Sequence, residues 1–277
     1  TPPTHVQSEE KGWVYRFNGS YKITPDIMLY AEASQGYRPG GANQVLGLPG
    51  NLTPYASDQL WNYEAGVKTA FWNRRATLNA DVFQIDWSDM QVRVLTPNGA
   101  FSYIGNAGKA RIRGLEAEGA VHPIQGLSIS GNFSIMQAEL TENQPGAGTT
   151  IPNAGLKGDR IPYVPKFQGG LAVQYVWPLA DGLSGFARAD VSHVGSSYNE
   201  LRTSYVYARK IDAYQLVNGR VGVESDDGGW GAYLFVTNLL NEEAILSKSV
   251  GATSAGRTSV FSATPRTIGV NLRKAFR

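Results

Sequence analysis

Apolar and polar side chains alternate with a period of two in one stretch of this chain after another. In the stretch 166–177, Phe167, Leu171 and Tyr175 fall on one side of an extended chain, and Lys166 and Gln168 fall on the other. Successive side chains of a strand point to opposite faces of a sheet, so this period predicts strands with one apolar and one polar face. About eleven strands are predicted, at residues 13–23, 27–36, 61–71, 76–87, 111–121, 127–135, 166–177, 185–194, 213–224, 230–238 and 266–276.

The predicted strands are long enough to cross a bilayer, which takes roughly 9–11 residues at the tilt of a barrel strand. One of them, 76–87, changes phase. Its apolar residues have even numbers as far as Val82, and odd numbers from Phe83 to Trp87. Such a change predicts either a β-bulge or a strand that leaves its apolar surroundings.

The connections between the predicted strands alternate in length. Short turns such as 24–26 and 72–74 alternate with long polar loops near 37–56, 88–108, 140–164, 195–210 and 239–264. Turns would then gather at one end of the sheet and loops at the other. Outer-membrane barrels have this asymmetry, with short periplasmic turns and long extracellular loops, whereas a soluble sandwich has no reason to keep it.

Aromatic residues occur toward both ends of the predicted strands. Beside the short turns lie Tyr21, Phe71, Trp72, Trp177, Trp230 and Phe276, and toward the long loops lie Trp13, Tyr15, Trp61, Tyr63, Trp87 and Phe167. Two belts of amphipathic rings around an aliphatic middle are what a membrane interface favours. The placement therefore indicates strands that span a membrane.

The polar faces of the strands carry too many charges for a dry core. The ionisable residues on them are Arg16, Lys22, Glu64, Lys68, Glu116, Glu118, Arg188, Asp190, Arg220, Glu224 and Arg273. They indicate a hydrated or plugged interior. The predicted fold is all-β, a transmembrane antiparallel up-and-down β-barrel. A soluble sandwich or propeller is the alternative, because such folds also bury one face of a sheet.

Composition and motifs exclude several classes of function. The chain has no cysteine, which excludes thiol nucleophiles, Cys-bound zinc and iron–sulfur clusters. Its formal net charge of +2 provides no overall basic field for nucleic acid. It has no apolar run of about 18 residues that would form a transmembrane helix. It also has no G-x-S-x-G, H-E-x-x-H or phosphate-binding glycine loop, so we expect no catalytic residue, metal site or cofactor.

Two other functions are compatible with a membrane barrel. One is an outer-membrane hydrolase that would use His193, the only histidine well inside a predicted strand. Ser196 lies three residues further on and therefore on the opposite face if the strand continues, and we expect His193 to be a tolerated residue at the membrane interface. The second is a passive porin.

Five short motifs occur in the order of one known family. They are AEASQGYRPG at 31–40, YEAGVK at 63–68 with the pattern E-x-G-x-K, GLEAE at 114–118, VTNLLNEE at 236–243 and PRTIGV at 265–270. With these motifs the chain resembles the TonB-dependent outer-membrane receptors over nearly its whole length.

The resemblance implies a barrel of 22 strands with an N-terminal plug inside it. A chain of about eleven strands has room for half of this barrel and none for the plug, so residues 1–277 are expected to be the C-terminal part of the barrel domain. About eleven strands that begin toward a short turn leave the C-terminus at the periplasmic side. Family members usually end in an aromatic residue, whereas here Phe276 is followed by Arg277.

The resemblance also implies energy-coupled uptake of a scarce nutrient across the bacterial outer membrane. A ferric siderophore is the commonest substrate class of the family, beside cobalamin, haem, saccharides and aromatic compounds. The expected partners are this ligand, outer-membrane lipid, and the protein TonB acting through a plug and TonB box upstream of Thr1. No nucleic-acid partner is expected.

Loop residues that can stack or form hydrogen bonds are the candidates for ligand binding, because a rigid scaffold holds loops at the surface. They are Tyr37, Arg38, Asn43, Gln44, Asn106, Arg160, Tyr198, Arg202 and Tyr205. For each of them the alternative is packing one loop against another. Charged residues of the predicted interior are expected to hold the plug through ion pairs and hydrogen bonds. They are Glu64, Lys68, Glu116, Glu118 and Arg220.

Overall fold

Eleven long strands form a single antiparallel sheet in which neighbours in the sequence are neighbours in the sheet. The computed structural model describes residues 11–95, 102–106, 108–145, 147–148, 151, 153–250 and 257–275. The strands are β1 (Arg16–Thr24), β2 (Ile27–Arg38), β3 (Asp58–Phe71), β4 (Ala76–Ser88), β5 (Ala110–Val121), β6 (Leu127–Leu140), β7 (Phe167–Ala180), β8 (Leu183–Val194), β9 (Tyr214–Ser225), β10 (Trp230–Thr237) and β11 (Thr267–Lys274). The all-β, up-and-down prediction and the number of strands are confirmed.

One face of this sheet is apolar and exposed. Val82, Leu171 and Ile268 lie on this apolar face and are 53%, 50% and 74% exposed. A sandwich or propeller would bury such residues, whereas a membrane barrel turns them toward lipid. The soluble alternative is therefore wrong. The opposite, polar face carries Glu64 and Glu116 and the other charged residues predicted for the interior.

The phase change in β4 reflects a change of surroundings along a regular strand. The pairing of β4 with β3 and with β5 continues without a register shift, so the alternative of a β-bulge is wrong. Beyond Val82 the apolar face continues into Gln84 and Asp86, which pair laterally with Arg113 and Arg111. The strand leaves its apolar surroundings at this level, as the second alternative predicted.

Trp87 differs from its predicted place in the aromatic belt. It pairs with Leu60 on β3 and Ala110 on β5 on the polar side of the sheet. There it packs against a buried cluster made by Met90, Ala110 and Leu140. The error follows from the phase change, because odd positions of β4 point away from lipid. Phe276, also assigned to a belt, lies outside the described residues.

Short turns and long loops alternate as predicted, and four of the long loops contain a small antiparallel ribbon. The paired segments are Gly41–Ala42 with Pro54–Tyr55, Gln91–Leu95 with Ser102–Asn106, Ser197–Tyr198 with Lys210–Ile211, and Ile245–Val250 with Thr258–Ser262. A 3-10 turn, Gly50–Leu52, lies in the first loop. None of the described helical segments has the length and hydropathy needed to span a bilayer.

The two edge strands of the sheet run in the same direction. Ten successive antiparallel pairings separate β1 from β11, so these strands are parallel to each other. The main sheet gives neither edge a further partner strand within the described residues. The sheet is thus a section of wall with two open edges, and an antiparallel barrel closes only if the added strands are odd in number.

Candidate functional site

Acidic side chains cluster on the polar face between β2 and β5. Glu32 and Glu64 stand directly opposite each other on β2 and β3, and Asp81 and Glu116 do so on β4 and β5. One row further on, the Asn79 amide donates to Glu118 at 3.0 Å. Alternation on regular, paired strands brings these carboxylates from four strands onto one surface.

Only some of these carboxylates have donors within the wall. The Tyr30 hydroxyl donates to Glu64 Oε1 at 2.8 Å, and Arg16 Nη2 lies 2.7 Å from Glu32 Oε2. Among the described residues, Asp81 and Glu116 have neither an ion-pair partner nor a hydrogen-bond donor. A carboxylate that faces an open cavity without a partner can accept a basic group from outside the wall.

A cavity of about 550 Å³ follows the polar face from β2 to β8. Its lining includes Lys68, Asp81, Glu116 and Glu118, and Lys68 Nζ lies 5.5 Å from the centre of the Tyr30 ring. Ser134 also lines it, is only 6% exposed, and its Oγ has no partner within the described structure. The polar face is therefore concave here and carries unsatisfied polar groups.

Basic side chains occur on the other half of the polar face together with Asp190 and Glu224. Arg188 on β8 stands opposite Arg220 on β9. The Arg220 guanidinium lies 3.6 Å from the centre of the Tyr233 ring and 5.4 Å from that of Phe186. Two rings partly compensate its charge, so Arg220 is held more firmly than a solvated arginine. All five residues predicted to face the plug lie on the polar face: Glu64, Lys68, Glu116 and Glu118 in the mainly acidic region, and Arg220 on the other half.

Arg38 and Asp58, at the two ends of the first long loop, contact each other and the start of the second long loop. Asp58 is almost fully buried, and Arg38 Nε donates to its Oδ2 at 2.9 Å while a second nitrogen of the guanidinium also contacts it. The Gln91 backbone N–H donates to the same carboxylate at 3.1 Å. The guanidinium lies 5.2 Å from the Trp87 ring centre. Asp58 and Gln91 were not among the candidates, since neither belongs to a recognisable motif.

Two asparagine side chains join the first and second loops. Asn43 Nδ2 donates to the Ile104 carbonyl, and the Ile104 N–H donates to Asn43 Oδ1, both at 2.7 Å. Asn106 forms the same pair with Ala56, at 2.8 and 2.7 Å. Each amide thus takes the place of a peptide group in a β-ladder. In this arrangement Arg38, Asn43 and Asn106 hold loops together.

Tyr37 and Gln44, the other candidates from the first loop, are both exposed. Tyr37 stands opposite Gln59 on the apolar face, so its side chain points away from that of Arg38. Gln44 has no side-chain hydrogen bond to any described residue, which leaves its amide free at the loop surface. Neither residue therefore takes part in the side-chain bonds that join the first and second loops.

The third and fourth loops enclose a second, smaller cavity. It measures about 200 Å³, and its lining includes Asp159, Arg160, Tyr198, Glu200 and Thr203. Burial raises the pKa of Glu200, and burial together with the Glu200 charge raises the pKa of Tyr163 and Tyr205. Arg202 is not part of the lining but contacts it, with Nε 3.4 Å from Asp159 Oδ2. Arg160, Tyr198, Arg202 and Tyr205 thus come together from two loops.

His193 lies on the apolar face near the loop end of β8. Its ring centre is 5.6 Å from that of Phe167, and its Nδ1 lies 3.4 Å from Gln215 Nε2. Within the described residues no carboxylate or serine is bonded to it. The residues that the structure describes contain no group of three or more acidic, histidine or cysteine side chains that could hold a metal ion.

The chain matches a family model described as TonB dependent receptor-like, beta-barrel, over residues 2–239. It is 29% identical over 196 residues to the pesticin receptor of Yersinia pestis, covering 68% of this chain and 26% of that protein. It is 26% identical over 253 residues to the ferrichrome outer membrane transporter/phage receptor of Escherichia coli K12, covering 88% of this chain and 30% of that one. The chain thus spans only about a quarter to a third of the length of these two relatives.

Solved structures with the same fold include the ferric yersiniabactin uptake receptor of Yersinia pestis. That comparison has a TM-score of 0.76 at 24% identity and covers 95% of this chain and 37% of the receptor. The ferripyoverdine receptor of Pseudomonas aeruginosa bound to ferripyoverdine gives a TM-score of 0.66 at 18% identity, covering 96% of this chain and 33% of that one. In both cases the sheet corresponds to a section of a larger barrel.

Proposed function

The chain belongs to the TonB-dependent receptor β-barrel family, and from this membership we propose that it is the C-terminal half of the barrel of an energy-coupled receptor that takes up a ferric siderophore. Members of the family are outer-membrane β-barrel transport receptors rather than enzymes. The observation that carries the proposal is a wall of eleven strands with an exposed apolar face and a concave, charged polar face.

The missing part of the wall is proposed to precede residue 1 in the same protein. Because β1 and β11 run in the same direction, a second copy in the same membrane orientation would set its β1 parallel to β11 and could not close an antiparallel barrel. An added segment of eleven strands, as the family barrel of 22 implies, satisfies this condition. The C-terminus then lies in the periplasm.

The polar face is proposed to hold a plug from that preceding segment. Within the described part of the chain, the Asp81 and Glu116 carboxylates have no partner, and the buried Ser134 Oγ has none either. Ser134 is buried, and buried polar groups are rarely left unsatisfied. The two carboxylates face the cavity, where a basic segment inside the barrel would pair with them. Glu64, Lys68 and Glu118 border the same region, and Arg220 would meet a different part of the plug.

The loops are proposed to capture the ligand before the plug rearranges through TonB. Gln44, Arg160, Tyr198, Arg202 and Tyr205 are the residues we assign to this role, because they present polar or aromatic groups at the loop surface or around the smaller cavity. Arg38, Asn43 and Asn106 are proposed to support the loops instead, and Tyr37 to lie at the rim of the barrel near lipid.

Uptake of radioactive iron by cells that lack other receptors tests the proposal. Cells that express the full-length receptor should accumulate iron from a ferric siderophore such as ferrichrome or ferric yersiniabactin, and accumulation should stop when TonB is deleted. Uptake that persists without TonB, together with ion conductance of the purified protein, would establish a passive porin instead. Hydrolysis of lipid or peptide that stops in His193→Ala would establish the hydrolase alternative.

A further inference from the structure

The smaller cavity is lined by one acidic and one basic residue that have no ion-pair partner among the described residues. Glu200 lines the cavity, and its carboxylate has no donor or ion-pair partner among the described residues. Arg160 lines it as well, and its Nη2 donates to the Val164 carbonyl at 2.9 Å. No salt bridge joins Glu200 to Arg160. Two opposite charges therefore face one small space without neutralising each other.

The backbone around the cavity fixes both charged groups in place. The segment that carries Arg160 is bonded to the end of β6, since the Leu140 N–H donates to the Asp159 carbonyl at 2.9 Å and the Ile161 N–H to the Ala138 carbonyl at 3.0 Å. The segment that carries Glu200 is bonded to the same region, because the Tyr163 N–H donates to the Tyr198 carbonyl at 2.9 Å. Backbone hydrogen bonds thus hold the chain segments on both sides of the cavity.

Asp159, the other acidic residue of the lining, already has hydrogen-bond and ion-pair partners. Asp159 Oδ2 accepts the Leu156 N–H at 2.7 Å and lies 3.4 Å from Arg202 Nε. Glu200 is therefore the carboxylate that remains for a ligand. Arginine has five N–H donors, and in the described structure Arg160 uses only the one that reaches Val164.

We propose that this cavity binds an amino-acid-like zwitterionic group, with the Glu200 carboxylate accepting from its ammonium and the Arg160 guanidinium donating to its carboxylate. Charge-assisted hydrogen bonds of this kind are strong when both partners leave water. A cavity of about 200 Å³ holds a group of the size of a small amino acid and not a whole siderophore. Tyr198 and Thr203 complete the polar lining. The inference rests on the proposed function, since it names one chemical group of the ligand captured by the loops.

The binding test uses the full-length receptor purified in detergent and three small probes. L-alanine carries both charges, ethylamine carries only the ammonium, and propionate carries only the carboxylate. Saturation-transfer difference NMR at millimolar concentration should give a signal for alanine that clearly exceeds the other two. Glu200→Gln and Arg160→Gln should each weaken alanine binding about tenfold, whereas Glu142→Gln, an exposed glutamate of the third loop, should leave it unchanged.

Several results would overturn the inference. They are equal binding of alanine and one of the singly charged probes, unchanged alanine binding in both cavity variants, and no signal from any probe. Thermal unfolding of each variant separates loss of the subsite from loss of the fold, and Glu200→Asp, which keeps the charge, should retain part of the signal. Iron uptake by the wild-type receptor is measured in parallel. Uptake without alanine binding refutes the subsite alone, and alanine binding without TonB-dependent uptake refutes the proposed function alone.

Discussion

The ring of Tyr30 on β2 lies directly across Gly66 on β3. The two residues are partners in the strand ladder, and a Cβ atom at Gly66 would come within 2.6 Å of the ring. The same arrangement occurs where Phe83 crosses Gly114 and where Phe235 crosses Gly269. A glycine in a strand interior often marks such a close approach, and the ring covers the backbone that the glycine leaves open.

Gly66→Ala should therefore destabilise the barrel. The added methyl group displaces the Tyr30 ring and with it the 2.8 Å hydrogen bond from its hydroxyl to Glu64, so we expect a loss of about 1–3 kcal/mol, typical of overpacking. Thermal unfolding of the purified receptor measures it. Gly36→Ala is the matched control on the same strand pair, because its new Cβ would lie 3.5 Å from Leu60, an ordinary contact. Equal effects of the two substitutions would contradict the explanation.

Asp58→Asn should loosen the first two loops. The buried carboxylate loses its charge, and with it the ion pair to Arg38 and part of the bond from the Gln91 N–H. Because Arg38 is half exposed, we expect about 1–3 kcal/mol, less than for a fully buried pair. Limited proteolysis of the folded receptor should then cut the region 39–57 faster. Asp26→Asn, which removes an exposed pair with Arg74, should have little effect.

Asn43→Asp tests whether an amide joins the two loops. The substitution preserves shape but removes the donor to the Ile104 carbonyl, for an expected cost of about 1–2 kcal/mol, and hydrogen exchange at the Ile104 amide should accelerate. Gln44→Glu, one residue further on and free of such bonds in the described structure, serves as the control. Unchanged exchange at Ile104 in Asn43→Asp would mean that the loops are held by other contacts.

The wall could be predicted from the sequence because one physical rule governs all of it. Lipid on one side and a polar interior on the other impose alternation on every strand, so the eleven strands were found and most of their ends were placed within three residues. The prediction failed where the rule stops applying. Beyond Val82 the outward-facing positions of β4 are the polar residues Gln84 and Asp86, and Trp87, assigned to the aromatic belt, packs inward.

The interior of the loops could not be predicted in this way. Asn43 and Asn106 bond to backbone groups far along the chain, and no periodicity records such a bond. Glu200 stands between Asn199 and Leu201, with no motif around it. Asp81, by contrast, could have been found, because it continues the odd, polar positions of the first half of β4 and pairs with Glu116.

The double variant Asp81→Asn/Glu116→Gln tests the plug-facing role of the acidic cluster. If basic groups of a plug pair with these carboxylates, the variant receptor holds its plug less firmly. It should then lose most of its iron uptake while the barrel remains folded. The measurement is TonB-dependent uptake beside thermal unfolding. Glu142→Gln in an exposed loop is the control. Undiminished uptake in the double variant would count against this role.

The stability of the receptor should depend on pH through Glu200 in a defined direction. Burial raises the pKa of Glu200 above its ordinary value of 4.5, so the folded state holds this proton more tightly than the unfolded state does. Stability from this group is then fully present below pH 4.5 and is lost as the pH rises through the folded pKa. Arg160, Arg202 and Asp159 are the other charged groups around the cavity.

Glu200→Gln should therefore unfold at a higher temperature than the wild type at pH 7, and this difference should vanish near pH 4. Scanning calorimetry of both proteins across this range measures it. Glu142→Gln provides a control of opposite sign. The Glu142 carboxylate lies 3.3 Å from Lys109 Nζ, and the substitution removes this weak surface pair, which lowers stability slightly. A Glu200→Gln variant that is less stable than the wild type at pH 7 would mean that the Glu200 carboxylate has a partner in the folded receptor, which would remove the free negative charge from the cavity.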